Sequence, residues 1–224
     1  MKIKSLVKCW LAAPPKLVYS YSKDKGSRIA LFNIKDHPSY DEAHWKDTVQ
    51  DEYSSENNCY SYALNNRDIK ALNPGWVAYS KGLIDKKDLF FYWDDSMPFN
   101  DYCQKNIELA ELDGLVHVKD EFSMQPGKHL IALAVRESKE YGRDYHWYRL
   151  DNDGYWSHKR GTDYPITKRD GKDSLITNPA HANRGLYKHF AGYFLVPNEG
   201  LSLDFEGRHE IKKLIRDYRY SNSL

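Results

Sequence analysis

The residue types that thiol chemistry requires occur in this chain in an order that some enzyme folds use. Cys59 stands in the run Asn57-Asn58-Cys59-Tyr60-Ser61-Tyr62-Ala63-Leu64, and His146 and His158 follow in a second run, residues 145–158. A thiol attacks a carbonyl only as thiolate, which requires a neighbouring proton acceptor or positive charge. The pattern therefore predicts Cys59 as a nucleophile and His146 as its general base.

Cys59 is predicted at the first position of a short helix. Asn58 is a good N-cap, and the apolar residues among 60–64 share one helical face. A helix N-terminus favours negative charge, so we expect it to lower the pKa of Cys59. The backbone N–H of Cys59, with the side-chain amide of Asn57 or Asn58, is the predicted oxyanion site. The alternatives are an ordinary buried cysteine and an asparagine that serves only as the cap.

His146 and His158 fall on a predicted β-hairpin that turns at Asp151-Asn152-Asp153-Gly154. A symmetric hairpin pairs residue 146 with 159 and 147 with 158, which puts His158 on the face opposite to His146. A bulge at the turn would shift this register by one residue and bring the two imidazoles together. We prefer His158 as the group that orients His146. The alternative orienting residues are Ser157, Asp151, Asp153 and Asp163.

The surrounding elements predict an α+β protein. Helices are predicted within residues 38–53, from 58, over 100–112 and over 209–218, and strands within 16–34 and over 115–118, 129–135, 145–159 and 191–197. Residues 89–93 are predicted as a strand or a buried aromatic turn. The near-continuous apolarity of residues 129–135 indicates a central strand buried on both faces. We expect one compact domain, with an N-terminal extension over 1–54, a catalytic core over 55–200 and a C-terminal helix over 201–224.

Composition excludes several classes of partner. The 224 residues carry 33 basic and 32 acidic side chains, so no strong field attracts nucleic acid or an anionic membrane. The mean hydropathy is −0.78 and no apolar run approaches the length of a membrane span, which predicts a soluble protein. Lys8 interrupts the short apolar N-terminus, so a signal peptide is not expected, and the protein is either cytoplasmic or exported by a signal-independent route.

The cysteines argue against a disulfide framework or a zinc knuckle. There are three of them, an odd number with no close pair, and we expect them to be reduced: Cys9, Cys59 and Cys103.

The order of these pieces resembles the papain-like fold of the NlpC/P60 and CHAP cysteine peptidases and amidases. The matching residues are Asn58 to Ala63, Pro126-Gly127 leading into an apolar strand, His146, and Asp153-Gly154 followed by His158. The resemblance implies a nucleophile helix packed on a central antiparallel sheet. It also implies cleavage of peptide or amide bonds in a peptide or protein substrate, without a cofactor or metal. The wider fold group also contains transglutaminases, deamidases and acyltransferases, some of them bacterial toxins and effectors.

Two readings from other classes stay open. Cys59, His146 and His158 are all competent zinc ligands, although the residue two before His146 is Asp144, so no HxH pair supports a metal site. In a non-catalytic module, Cys59 would be inert and the hairpin aromatics would form a recognition surface for a glycan, a peptide or a partner protein.

Overall fold

The computed structural model describes residues 34–45, 57–67, 72–93, 96–161, 164–203 and 206–213. The strands of the predicted N-terminal hairpin, which end at Phe32, lie outside these ranges, and so does Asp163. The α-helices are α1 (Glu42–Trp45), α2 (Cys59–Ala63), α3 (Trp76–Ser80), α4 (Phe99–Leu112) and α5 (206–213). The strands are β1 (Val116–Val118), β2 (Lys128–Ser138), β3 (Gly142–Leu150), β4 (Trp156–Lys159), β5 (Ile166–Thr167) and β6 (His189–Pro197). Two 3-10 helices cover Ile34–Asp36 and Lys86–Trp93.

The protein is α+β, with one six-stranded antiparallel sheet in the order β1-β6-β2-β3-β4-β5. Strand β2 lies at its centre and pairs with β3 on one side and β6 on the other. Residues 130–135 of β2 have no exposed surface, so the prediction of a central strand buried on both faces is confirmed. Long apolar runs form such strands because neither face can meet water.

The two faces of the sheet carry separate cores. Alternate residues of β2 and β3, including Leu133 and Trp147, pack against helices α2, α3 and α4. The residues between them, including Ala134 and Tyr148, face a second core that is completed by loop and 3-10 residues such as Ile176 and Ile34. Side chains of a strand point alternately to opposite faces, so neighbouring residues of β3 belong to different layers.

Two local predictions differ from the structure. Residues 89–93 belong to the 3-10 helix Lys86–Trp93, so the strand alternative is wrong. The Asp88 carboxylate accepts a hydrogen bond from the backbone N–H of Asp85 at 3.0 Å, which closes a turn where a strand would have to begin. Helix α5 is already formed at residue 206, three positions before the predicted start, with Ile211 fully buried.

Helix α2 is short and is held at both ends. At its start, the Asn58 side-chain oxygen accepts a hydrogen bond from the Ser61 N–H at 2.9 Å, so the predicted N-cap is confirmed. At its end, the carbonyl of Tyr62 accepts a hydrogen bond from Arg149 on β3 at 3.3 Å. A helix of five residues has little stability of its own, so these contacts and its buried side chains keep it formed.

Arg149 is fully buried and joins three parts of the fold. Its Nε donates to the Asp151 carboxylate at 2.9 Å, and its Nη2 donates to the Ser39 carbonyl and the Tyr62 hydroxyl at 3.0 Å each. The guanidinium also lies 4.1 Å from the centre of the Tyr62 ring. A buried charge is tolerated only when it is paired and hydrogen-bonded, and Arg149 meets both conditions.

In the part of the chain that the structure describes, no helix is long and apolar enough to cross a membrane.

Replacing Arg149 by Met should lower the free energy of unfolding by about 3–5 kcal/mol, because it leaves the Asp151 carboxylate buried without its cation. The double variant Arg149→Met/Asp151→Asn should recover part of this loss, since the second change removes the buried charge. Urea denaturation followed by circular dichroism measures both. Lys87→Met, which removes an exposed ion pair with Asp85, is the control and should cost less than about 1 kcal/mol. A loss for Arg149→Met as small as that of the control would contradict the prediction.

Candidate active site

The structure brings His146 and His158 into direct contact. The Nε2 atom of His146 lies 2.6 Å from Nδ1 of His158, and the two rings are perpendicular. Strands β3 and β4 pair Arg149 with Ser157 and Leu150 with Trp156, a register one residue away from that of the symmetric hairpin. This register places both histidines on the same face of the sheet.

The turn between β3 and β4 produces this register. Asp151 donates its N–H to the Tyr155 carbonyl at 3.0 Å, so three residues lie between the paired positions. Gly154 has φ of +86°, a left-handed conformation that glycine adopts without steric cost. A turn followed by a left-handed residue is the usual three-residue hairpin connection, and its odd length shifts the pairing by one.

A backbone carbonyl determines where the protons lie on the two histidines. His158 Nε2 lies 3.0 Å from the carbonyl oxygen of Arg169. Because a carbonyl can only accept, Nε2 of His158 carries a proton, and in the neutral ring its Nδ1 must accept. His146 therefore donates from Nε2 and keeps an unprotonated Nδ1, the atom that a general base needs.

Burial keeps both imidazoles neutral. Each is 5% exposed. Desolvation lowers the pKa of His158 to about 4 and that of His146 well below its usual value. The proximity of His158, and then the positive charges of Arg160 and Arg136, lower the pKa of His146 further.

Cys59 lies at the start of α2, next to the strand that carries His146. The thiol is 6% exposed and lies against the backbone of β3, where the N–H of Trp147, the residue after His146, favours the thiolate. Burial nevertheless raises the pKa of Cys59 to about 12, and the carboxylate of Asp144 adds to this increase. The backbone N–H groups of Cys59 and Tyr60 at the helix start do lower this pKa, as expected, but burial outweighs them. Desolvation of a buried thiolate outweighs what a five-residue helix can supply.

Two tyrosines pack against His146. The ring of Tyr187 lies 5.1 Å from that of His146, and its hydroxyl donates to the Asp144 carboxylate at 2.6 Å. The ring of Tyr148 contacts His146 edge-on at 5.0 Å. Burial is the main cause that raises the pKa of both tyrosines, and the charge of a Cys59 thiolate adds to it, so both also lie near the thiol. Sequence analysis missed Tyr187 because it lies in an irregular loop without periodic pattern.

The other orienting candidates that the structure describes do not reach His146. Ser157 points to the opposite face, where its Oγ lies 2.6 Å from the Tyr62 hydroxyl. Adjacent residues of a strand alternate in direction, so the register that selects His158 excludes Ser157. The remaining two described candidates are used elsewhere, Asp151 by Arg149 and Asp153 by Lys168. Asp163 lies outside the described residues.

The two asparagines before the cysteine have different roles. Asn58 uses its side-chain oxygen as the helix cap and donates from Nδ2 to the Leu72 carbonyl at 2.8 Å, so its amide is not free for an oxyanion. Asn57 is fully buried, and neither polar atom of its side chain has a hydrogen-bond partner. An unsatisfied buried amide costs stability and is uncommon in native structures.

Among the described residues, no group of three or more His, Cys, Asp and Glu side chains is arranged to hold a metal ion.

Comparison with known proteins gives a partial similarity. Over 67 residues the chain is 48% identical to Insoluble matrix shell protein 1 of Ruditapes philippinarum. The similar segment covers 30% of this chain and 42% of that protein, so the chain matches less than half of the relative's length. No protein-family model matches the chain, and no solved structure matches it significantly. The comparisons therefore assign no family.

In the folded protein, Cys59 should react with iodoacetamide at pH 7 on the order of 10³-fold more slowly than an ordinary thiol, because its raised pKa leaves so little thiolate. Its rate should rise about tenfold per pH unit up to about pH 10. Mass spectrometry of peptides after timed alkylation separates Cys59 from Cys103, a buried thiol whose pKa is also raised, to about 11. A rate for Cys59 that is already constant below pH 7 would indicate a resting thiolate and contradict this result.

Proposed function

We propose that this protein is a thiol-dependent hydrolase or acyltransferase that acts on peptide or amide bonds through a papain-like arrangement. Cys59 is the nucleophile, His146 the general base and His158 the residue that orients the base. The observation that carries the proposal is the chain of hydrogen bonds from the Arg169 carbonyl through His158 to His146. These hydrogen bonds leave Nδ1 of His146 unprotonated. His146 belongs to β3, the strand against which the Cys59 thiol lies.

The resting pair is neutral, so the thiol loses its proton during attack rather than before it. As Sγ of Cys59 bonds to the carbonyl carbon, Nδ1 of His146 takes the thiol proton. The imidazolium that forms is stabilised by donating from Nε2 to the neutral His158. The charge that develops on the substrate oxygen is stabilised by the backbone N–H of Cys59 and the amide of Asn57.

Collapse of the tetrahedral intermediate breaks the C–N bond and leaves a thioester on Cys59. His146 returns its proton to the departing amine, which makes its Nδ1 available again. Water then attacks the thioester and gives a carboxylic acid, or an amine attacks and gives a new amide. The first outcome is hydrolysis or deamidation, and the second is the transfer that transglutaminases and acyltransferases catalyse.

The architecture supports this proposal in one further respect. Helix α2 begins at the nucleophile and packs on a central antiparallel sheet, against the strand that carries the base. This is the relation between helix and sheet that the resemblance to NlpC/P60 and CHAP enzymes implies.

A second candidate is a non-catalytic component of an insoluble matrix. The similarity to Insoluble matrix shell protein 1 favours it, and so does the low exposure of Cys59 and His146. In this case Cys59 and its neighbours would serve only packing, and the aromatic residues of the hairpin would bind other components.

Incubation with peptidoglycan fragments, ubiquitin-like conjugates and glutamine peptides, with and without an added amine, distinguishes the two candidates. Wild-type protein should release or transfer an acyl group that mass spectrometry detects, whereas Cys59→Ala and His146→Ala should lose at least about 10³-fold in rate without unfolding. Cys103→Ala is the matched control and should retain activity. Equal product from the wild type and Cys59→Ala would overturn the proposal and favour the matrix component.

Asn57→Ala should lower kcat by about 10²-fold with little change in KM, because a donor to the oxyanion acts mainly in the transition state. Asn57→Asp should lower it further, since a carboxylate repels the oxyanion. Asn58→Ser is the control: serine retains the N-cap, so its activity should stay close to that of the wild type. If Asn58→Ser lost more activity than Asn57→Ala, the assignment of Asn57 would be wrong.

A further inference from the structure

The carboxylate of Asp170 is a hydrogen-bond acceptor for two separate segments. Its Oδ1 accepts the backbone N–H groups of Lys172 at 2.8 Å and Ser174 at 3.0 Å. Its Oδ2 accepts the backbone N–H of Asn183 at 3.0 Å. These bonds hold the pKa of Asp170 below its usual value, with the bond from Asn183 as the largest cause, so the side chain stays ionised.

The first segment presents the carbonyl that His158 uses. Asp170 donates its own N–H to the Ser174 carbonyl at 2.9 Å, and Arg169 donates from Nη1 to the Asp173 carbonyl at 2.9 Å. The peptide group between residues 169 and 170 is therefore held by the same turn that the Asp170 side chain closes. Its carbonyl oxygen accepts from His158 and sets the proton positions on both histidines.

The second segment carries Tyr187. Gly171 donates to the Asn183 carbonyl at 2.8 Å, and a Cβ at residue 171 would lie 2.9 Å from the Asn183 side chain, so the two segments are in close contact. The next residue, Arg184, donates from Nε to the carbonyl of Tyr187 at 3.0 Å. The Tyr187 ring then covers His146.

We propose that Asp170 is a positioning residue that holds both the carbonyl of Arg169 and the loop of Tyr187, and so sets the proton positions and the cover of His146. It makes no hydrogen bond to the thiol or the histidines, and it acts through the two segments that contact them, while its charge also raises the pKa of His158. A role of Asp170 in catalysis rests on the proposed function. Its effect on the protonated nitrogens of the two histidines and on the Tyr187 ring can be measured without substrate.

Histidine NMR of the full 224-residue chain tests this proposal, because long-range ¹H–¹⁵N correlations show which ring nitrogen carries the proton. In the wild type, His158 and His146 should both be protonated on Nε2. In Asp170→Ala both segments lose their acceptor, so each histidine should show a mixture of the two neutral forms.

Asp170→Asn separates the effect on the Arg169 carbonyl from the effect on the loop of Tyr187. Its side-chain oxygen can still accept from Lys172 and Ser174, so His158 should keep the wild-type form. The bond from Asn183 is lost, so the ring of Tyr187 should leave His146, and the His146 ring protons should lose the ring-current shift that Tyr187 causes.

Asp173→Asn is the matched control in the same turn and should change neither signal. His37 and His129, whose signals report the fold, should be unchanged in every variant. Wild-type proton positions in Asp170→Ala, or a wild-type ring-current shift in Asp170→Asn, would overturn the proposal. If Asp170→Ala did not fold, the Asp170→Asn result would decide it. A wild-type chain that shows the expected protons but turns over no substrate would refute the proposed function and leave the positioning role intact.

Discussion

The fold depends on one buried cation. Arg149 lies on β3 without exposed surface, and its guanidinium is hydrogen-bonded to Asp151, to the last turn of α2 and to the segment around Ser39. A charge in this position is stable only while every one of these partners is in place, so their geometry is set jointly. These bonds join α2, which begins at Cys59, to β3, the strand that carries His146.

The residues of the proposed site belong to two layers of the molecule. Trp147 packs with α2 in one core, whereas His146 and Tyr148 face the other core. Cys59 approaches the strand from the helix side at its backbone, and His146 is oriented from the opposite side by His158. A buried, neutral pair results, because each partner is desolvated by a different set of aromatic residues.

Several parts of this arrangement are predictable from sequence and others are not. The near-continuous apolar run 129–135 predicts a central strand, and Asn58 before a helical pattern predicts the cap, because both depend on local residue types. The partner of His158 is a backbone carbonyl, which has no sequence signal. The raised pKa of Cys59 is also beyond sequence reasoning, since desolvation depends on residues distant in the chain, such as Tyr187. For the hairpin, the residues were compatible with two registers, and the actual turn conformation selected one.

The turn at residues 152–154 has a consequence for how the chain can vary. Because strand side chains alternate, the parity of the connection decides whether His158 or Ser157 faces His146. Inserting or deleting one residue in this partly buried turn would exchange the two, although no residue near the histidines had changed. Inserting two residues would restore the original facing. Relatives that retain the histidine pair should therefore differ in the length of this loop by even numbers of residues. An alignment of their sequences would show this without any assay of activity.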